Sequence, residues 1–247
     1  DDNDDWLPAG RFLPVAEICK RLGVSEATAR RDLAAVEADG HITRTYGGAL
    51  ADYNSSFDSV DVRSNRARSA KSRIARKAVA QIPRTGTIFL DAGTTIQAVA
   101  RELAHRRDFA GLVVVTNSLA AATVLGGVEG LELHVLGGMF LSRQAALMGA
   151  RAVEALGDWK FDVAFMAGEG VDAAGITNSH DHIANFQKAL IPHAVRTFFC
   201  LDATKVGRAT PHRAAAWSDV SVLITDAPAK VLAENSINLP AAKLIRA

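Results

Sequence analysis

The sequence is poor in cysteine and in aromatic residues. Its 247 residues include two cysteines, and only 6% of them are aromatic. Cys19 and Cys200 lie far apart and have neither the spacing of metal ligands nor that of a redox pair. We therefore expect two small, buried, reduced side chains in a cytoplasmic protein, which excludes a disulfide scaffold.

The sequence also lacks a large net charge and a long apolar run. The formal net charge is +1, so any affinity for nucleic acid has to come from a local patch rather than from the whole surface. No window is long and apolar enough to span a bilayer, and we expect no signal peptide. We expect no membrane partner.

The most informative segment runs from Val15 to Leu50. Residues 15–22 carry apolar side chains at helical spacing, and Gly23 supplies a stop. Ser25 can cap a second helix that runs to about Asp39 with Ala29, Leu33 and Val36 facing inward. An alternating segment, HITRTYGGA, then predicts a strand, a turn and a return. A helical hairpin used only for packing remains the alternative to a DNA-reading unit.

The motif in this segment is more specific than its helix pattern. Ser-x-x-Thr-x-Arg-Arg-Asp-Leu followed by Gly-x-x-x-Arg-x-Tyr-Gly-Gly-Ala resembles the winged-helix head of the DeoR family of bacterial transcriptional regulators. The resemblance implies a recognition helix and a wing that contact operator DNA. The implied DNA-binding residues are Ser25, Thr28, Arg30, Arg31, Arg44 and Tyr46.

The chain length predicts two domains. We expect a winged helix-turn-helix domain over residues 1–50, a linker with the start of a new helix over 51–72, and an α/β domain over 73–247. The stretch from Val62 to Leu90 holds basic residues and no acidic one. A solvated helix face explains this run, and a surface near DNA or near an acidic partner is the alternative.

The larger domain alternates short apolar runs with helical patterns. The runs 87–91, 112–116, 131–136, 161–167, 196–202 and 220–226 suit buried parallel strands. Helical patterns cover 96–106, 118–125, 146–156, 182–194 and 228–235. This alternation predicts βαβ units in a layered α/β fold, in which ligands bind beyond the carboxyl ends of the strands.

Polar or glycine-rich residues follow five of these predicted strands. A turn with Thr94 and Thr95 at a helix start suits a phosphate, and Lys205 is a natural counter-charge. A purely structural strand-to-helix junction is the alternative for any one of these turns. We predict an effector site formed by Asp91, Gly93, Thr94, Thr95, Asn117, Ser118, Gly137, Gly138, Gly168, Glu169 and Lys205.

The order LDAGTT, VVTNS, LGG, GxxGxD and LDATKxG resembles the effector domain of the same DeoR family. The resemblance implies a fold similar to ribose-5-phosphate isomerase and a phosphorylated sugar as ligand. The family usually carries charged residues in the helix before the fifth strand, where this chain has Asn185 and Gln187. A less charged pocket would suit an atypical sugar phosphate or a phosphodiester.

Two functions fit these features. In the first, the chain is a repressor of a carbohydrate operon that binds operator DNA as a homo-oligomer, a dimer or a tetramer, and responds to a sugar phosphate. In the second, it is a sugar-phosphate isomerase with a helical appendage, using Asp91, Glu169 and Lys205. The head motif favours the first, without enzymatic activity. We expect no cofactor and no metal, and we interpret His180, Asp181 and His182 as a surface loop.

Overall fold

The computed structural model describes residues 12–38, 42–45, 48–51, 60–208 and 210–247. The chain forms two compact units, Asp1–Ser59 and Val60–Ala247. The boundary between them falls inside the stretch 51–72. The second half of that stretch is helical, because α3 (Val60–Asn65) and the start of α4 (Arg68–Val79) lie there.

The first unit contains the two expected helices, α1 (Val15–Leu22) and α2 (Glu26–Ala38). Gly23 ends α1 in the left-handed conformation at φ 66°, and its N–H bonds to the carbonyl of Cys19. The Ser25 hydroxyl accepts the Thr28 N–H at 3.2 Å and so caps α2 as predicted. A small core joins the helices through Val15, Ile18, Ala29 and Leu33.

A small antiparallel sheet accompanies these helices. Its strands are β1 (Phe12–Pro14), β2 (Ile42–Thr45) and β3 (Gly48–Ala51), in the order β1-β3-β2. The hairpin of β2 and β3 is the predicted wing, whereas β1 was not predicted. Arg44 lies in β2 with its side chain undescribed. Tyr46 and the side chain of Val36 lie outside the described residues.

The second unit is built on a seven-stranded sheet in which all neighbours are parallel. The spatial order is β15-β14-β12-β9-β4-β5-β6. The strands are β4 (Gly86–Leu90), β5 (Leu112–Thr116), β6 (Leu131–Val135), β9 (Phe161–Met166), β12 (Ala194–Cys200), β14 (Val222–Thr225) and β15 (Leu244–Arg246).

Helices cover both faces of this sheet. The helices are α4, α5 (Thr94–Leu103), α6 (Leu119–Leu125), α7 (Ala150–Ala155), α8 (Asp181–Leu190) and α9 (Ala229–Glu234). Neighbouring residues of β4 point to opposite faces, so Ile88 joins one core with α4, α5 and α6 while Phe89 joins another with α7, α8 and α9. The predicted layered α/β architecture is confirmed.

Some local predictions were wrong. Ala146–Met148 forms a strand, β8, rather than the start of a helix, and it pairs with β7 (Met139–Leu141) in a hairpin. A second small sheet contains β10 (Gly170–Asp172), β11 (Gly175–Asn178) and β13 (His212–Ala216). Among the described helices, none is long and apolar enough to cross a bilayer.

The strand order places a crevice at one point of the sheet. From β4 the chain proceeds outward to β5 and β6, whereas β9 starts the run to β12, β14 and β15 on the other side. The helix after β4 and the helix after β9 lie on opposite faces, because α5 joins one core and α8 the other. Such a switch point opens a ligand crevice at the carboxyl ends of the two strands.

Candidate functional site

Asp91 lies at the switch point, directly after β4, and its side chain is completely buried. Its Oδ1 accepts the Ala92 N–H at 2.8 Å and the Asn117 amide Nδ2 at 3.1 Å. Its Oδ2 accepts the Gln187 amide Nε2 at 2.6 Å. Burial raises the pKa of this carboxyl to about 6, and the three hydrogen bonds only partly offset the effect.

Gln187 of α8 connects the two strands that flank the crevice. Its Nε2 bonds to Asp91 after β4 and also to the carbonyl of Ala167 after β9, at 2.8 Å. Its Oε1 accepts the Asn178 amide at 2.7 Å. Sequence analysis singled out Gln187 as a neutral residue where charge was expected but did not predict this bridge. Asn185, in contrast, is exposed on α8.

Asn117 has an unused acceptor in this buried network. Its Nδ2 bonds to Asp91 and lies 3.6 Å from the Met148 sulfur, whereas its Oδ1 is buried without a hydrogen-bond partner among the described residues. A buried amide oxygen normally has a donor, since an unmade bond costs about 1–3 kcal/mol. A ligand hydroxyl would supply that donor.

Helix α5 begins beside this network. Gly93 precedes it at φ 132°, a conformation that favours glycine, and no described side chain caps the helix. A Cβ on Gly93 would lie 3.4 Å from the Ala167 Cβ, so the turn approaches the end of β9 closely. Thr95 is buried in the first turn and Thr94 is partly exposed. The structure thus brings the predicted phosphate turn to the crevice.

Three predicted residues have evident roles in the fold. The Ser118 hydroxyl accepts the Ala121 N–H at 3.1 Å and caps α6. Gly138, at φ 147°, leaves no room for a Cβ because the carbonyl oxygen of Met148 would lie 2.5 Å away. Gly168 is similarly enclosed by Ile176. The neighbouring Gly137 is exposed with open space around it.

Glu169 lies after β9 and bonds to the segment before α8. Its Oε2 accepts both the N–H and the hydroxyl of Ser179. Its charge also acts on two further groups, His180 and Lys205. Glu169 therefore bonds to the segment before α8 and lies close enough to His180 and Lys205 for its charge to act on both.

Lys205 lies in a short turn after β12 that Asp202 caps. Burial lowers the pKa of Lys205, and the nearby carboxylates of Asp202 and Glu169 oppose this effect. The pKa is also lowered by two neighbouring cations, Arg208 and Arg63. Two cations and two carboxylates thus lie near a partly buried ammonium, an arrangement suited to an anionic ligand group.

Lys71 was missed as a member of this cluster. It lies on α4 inside the basic run, but its side chain is only 6% exposed. Its Nζ donates to the carbonyls of Arg63 and Arg66 at 2.5 and 2.7 Å. Burial lowers its pKa to about 8, with Asp202 raising it and Lys205 lowering it further.

The basic run is therefore more than a solvated face. Arg63 donates to the carbonyl of Arg143 at 2.9 Å, and Arg73 forms an ion pair with Asp226 at 2.7 Å. The absence of acidic neighbours in the sequence hid these contacts, because their partners lie 80 or more positions away. Only tertiary contact distinguishes these residues from exposed ones.

Asp181 and His182 lie in a helix rather than in a loop, which corrects our interpretation of the segment from His180 to His182. His180 precedes α8, and Asp181 and His182 form its first turn. His180 is partly buried, and its Nε2 lies 3.3 Å from the Gln144 amide. Burial lowers its pKa. Among the described residues, no group of histidine, cysteine or acidic side chains could hold a metal ion.

The first unit exposes the predicted recognition residues on α2. The Arg31 side chain is 80% exposed and lies 3.5 Å from its neighbour Asp32. Arg30 bonds to Glu26 one turn earlier, and the Thr28 hydroxyl lies 2.9 Å from that of Ser25. Exposed basic side chains near the start of a second helix are what a helix-turn-helix presents to DNA.

Comparison with known proteins identifies these units. Residues 66–227 match the family model described as the DeoR C terminal sensor domain, and residues 5–55 match the DeoR-like helix-turn-helix domain. The chain belongs to the DeoR family. It therefore combines a DNA-binding head with a sensor domain, as the sequence motifs predicted.

Curated relatives of this DeoR protein are named as repressors. The HTH-type transcriptional repressor GlcR of Bacillus subtilis is 32% identical over 90% of this chain and 85% of its own length. The lactose phosphotransferase system repressor of Lactococcus lactis is 34% identical over 83% of this chain and 80% of its own. The glycerol-3-phosphate regulon repressor of Escherichia coli is 30% identical over 89% and 86%.

Solved structures give a more distant match. Ribose 5-phosphate isomerase A from Methanocaldococcus jannaschii superposes with a TM-score of 0.43 and 17% identity, over 56% of this chain and 54% of that one. A TM-score this low supports no statement about the function of the DeoR protein. The fold assignment is based on the parallel sheet itself.

The buried carboxyl gives a prediction about pH. In the unfolded chain Asp91 ionises near 3.8, whereas in the folded protein it does so near 6. The protonated carboxyl therefore stabilises the folded state. This stabilisation is present below about pH 4 and is lost as the pH rises through 6. Relative to Asp91→Asn, the wild type should gain about 2 kcal/mol on going from pH 7 to pH 4.

Chemical denaturation of both proteins at each pH measures this difference. Asp158→Asn removes an exposed carboxyl and serves as the matched control, which should track the wild type. A constant difference between the wild type and Asp91→Asn across this range would contradict the raised pKa.

Proposed function

We propose that this protein represses a carbohydrate operon and that a phosphorylated sugar or a sugar phosphodiester releases it from its operator. The observation that carries the proposal is the unpaired Oδ1 of Asn117 beside Asp91 at the switch point. An unused acceptor and an ionisable carboxyl together suit the hydroxyls of a polyol or sugar. The relatives' names refer to lactose and to glycerol 3-phosphate, which agrees with this chemistry.

The phosphate has two suitable groups nearby. The uncapped start of α5 presents backbone N–H groups and the positive end of the helix dipole, with the hydroxyls of Thr94 and Thr95 in the first turn. Lys205 supplies a positive charge from the turn after β12. We assign the hydroxyls of the ligand to Asp91, Asn117 and Glu169, and its phosphate to the α5 turn and Lys205.

The neutral Gln187 refines the choice of ligand. No cation of the described residues bonds to Asp91, so its charge is balanced only by amide and backbone donors. A ligand that donates hydroxyls to this carboxylate is favoured there. A second phosphate at this end would be repelled, which favours a single phosphate or a phosphodiester at the other end.

Operator binding follows from the head. Ser25, Thr28, Arg30, Arg31, Arg44 and Tyr46 are the proposed contacts, acting in the cytoplasm as part of a homo-oligomer that reads paired half-sites. The effector has to bind the DNA-free state more tightly than the DNA-bound state, since only a difference in affinity shifts the equilibrium.

We expect Arg31→Ala to weaken operator binding by roughly tenfold or more, because an exposed arginine on a recognition helix contacts bases or phosphates. Arg21→Ala is the matched control, since Arg21 is exposed on α1 and pairs with Glu17. Fluorescence anisotropy with operator DNA measures both. Equal operator affinity of the two variants would show that Arg31 on α2 does not contact the DNA.

We expect Lys205→Ala to keep operator binding and to lose release by the effector. A thermal-shift panel of pentose, hexose and glycerol phosphates and phosphodiesters first finds the ligand, because a bound ligand raises the melting temperature. The apparent affinity for that ligand, obtained from the dependence of the melting temperature on ligand concentration, should then fall at least tenfold for Lys205→Ala. Lys188→Ala, exposed on α8, should behave as the wild type. An unchanged shift would place the phosphate elsewhere.

We propose that the sensor domain does not catalyse a reaction. Glu169, the carboxylate that an isomerase would use as a base, is bonded twice to Ser179. Incubation with pentose and hexose phosphates, followed by separation of aldose from ketose, should detect no turnover. Isomerisation that disappears in Glu169→Ala would establish the enzyme instead.

A further inference from the structure

Helix α3 (Val60–Asn65), the first element of the second unit, is hydrogen-bonded to the start of α5. The Ser64 hydroxyl donates to the Gln97 Oε1 at 2.8 Å, and Gln97 is itself buried. The Gln97 N–H bonds to the carbonyl of Gly93 at 2.8 Å, so this contact is made with the first turn of α5. Helix α3 therefore lies beside the turn to which we assigned the phosphate of the effector.

Arg63 on the same helix contacts the turn between β7 and β8. Its Nη2 donates to the carbonyl of Arg143 at 2.9 Å. The next residue, Gln144, is buried, and its amide lies 3.3 Å from the Nε2 of His180. The residue before His180 donates two hydrogen bonds to Glu169. Arg63 is thus connected through a short series of contacts with the carboxylate that follows β9.

Lys71 connects Arg63 with Lys205. The Lys71 Nζ donates to the carbonyl of Arg63 at 2.5 Å. Burial lowers the pKa of Lys71, with Asp202 raising it and Lys205 lowering it further. Burial is also the main cause of the lowered pKa of Lys205 and of His180, and the charge of Arg63 lowers both further. The same charge lowers the pKa of Lys71, so the Arg63 guanidinium lies close enough to act on all three groups.

Positive charges outnumber negative ones in this cluster. The carboxylates that act on the two lysines are Asp202 and Glu169, whereas the cations of the cluster are Lys71 and Lys205 themselves with Arg63, Arg66 and Arg208. Like charges disfavour one another, and a phosphate among them would replace repulsion by attraction. An arginine suits this task because its planar guanidinium can donate two parallel hydrogen bonds to one phosphate.

We propose that Arg63 binds the anionic group of the effector together with Lys205, and that the bound effector thereby fixes the position of α3. This inference rests on the proposed function, because it takes the phosphate to lie between the α5 turn and Lys205. The last strand of the wing ends at Ala51, so α3 is the described helix of the second unit that lies nearest to the head in the sequence. A ligand held by Arg63 would distinguish the DNA-bound from the DNA-free state wherever the two states differ in the position of α3.

Thermal denaturation of the full chain in inorganic phosphate tests this inference, with sodium chloride adjusted to keep the ionic strength constant. The melting temperature rises with the concentration of a ligand that binds the folded state, which gives an apparent affinity. We expect Arg63→Gln to lower this affinity at least tenfold and Arg63→Lys, which keeps the charge, to lower it less. Arg101→Gln removes an exposed charge from the last turn of α5 and is the matched control, which should bind as the wild type does. Circular dichroism before heating checks that each variant is folded.

Hydrogen exchange tests whether the anion acts on α3. Phosphate should slow the exchange of residues 60–65 in the wild type but not in Arg63→Gln, because a fixed helix opens less often. Helix α9 is the internal control, since its Leu232 belongs to the core on the other face of the sheet. Exchange in α3 that phosphate leaves unchanged in the wild type, or slows no more than in α9, would overturn the effect on α3.

The outcomes separate this inference from the proposed function. An unchanged phosphate affinity in Arg63→Gln, together with a loss in Lys205→Ala, would overturn the inference and leave the proposed function intact. An equal loss in Arg63→Gln and Arg63→Lys would assign Arg63 a purely structural role and would also overturn it. A wild type that phosphate does not stabilise, or a Lys205→Ala variant that binds phosphate as the wild type does, would contradict the proposed phosphate site and the inference with it.

Discussion

The bridge made by Gln187 is the interaction on which the candidate site depends. Parallel strands diverge at a switch point, and here one amide side chain joins the ends of β4 and β9 through Asp91 and the Ala167 carbonyl. The bridge is buried, so each of its hydrogen bonds counts in full and cannot be replaced by water. It also decides the electrostatics, because an amide orients Asp91 without neutralising it.

The two sides of the crevice therefore differ in charge and in the hydrogen-bonding groups that they present. On one side, Asp91 and Asn117 offer acceptors that bond to no cation among the residues the structure describes, whereas the other side has Lys205 among cations and carboxylates. A ligand with hydroxyls at one end and a negative charge at the other matches both sides. The buried Lys71 stabilises the second side, since its ammonium holds the carbonyls of α3 and the following turn.

The β7–β8 hairpin connects this site with the outside of the molecule. Its inner strand is bonded to the residues that follow β5, and its outer strand exposes Met139 and Phe140. A single short element therefore connects the candidate ligand site with the protein surface.

The sequence by itself determined the family, the helix-turn-helix and the alternation of strands and helices. Those features depend on local signals: Gly23 as a helix stop, Ser25 as a cap, and apolar runs at strand spacing. Even the convergence of Asp91 and Asn117 could be predicted, because parallel strands end at one edge. The tertiary structure alone decided that Ala146–Met148 is a strand, and that Lys71 is buried. It also decided that Gln187 faces Asp91, because distant contacts rather than local propensity select each of these three states.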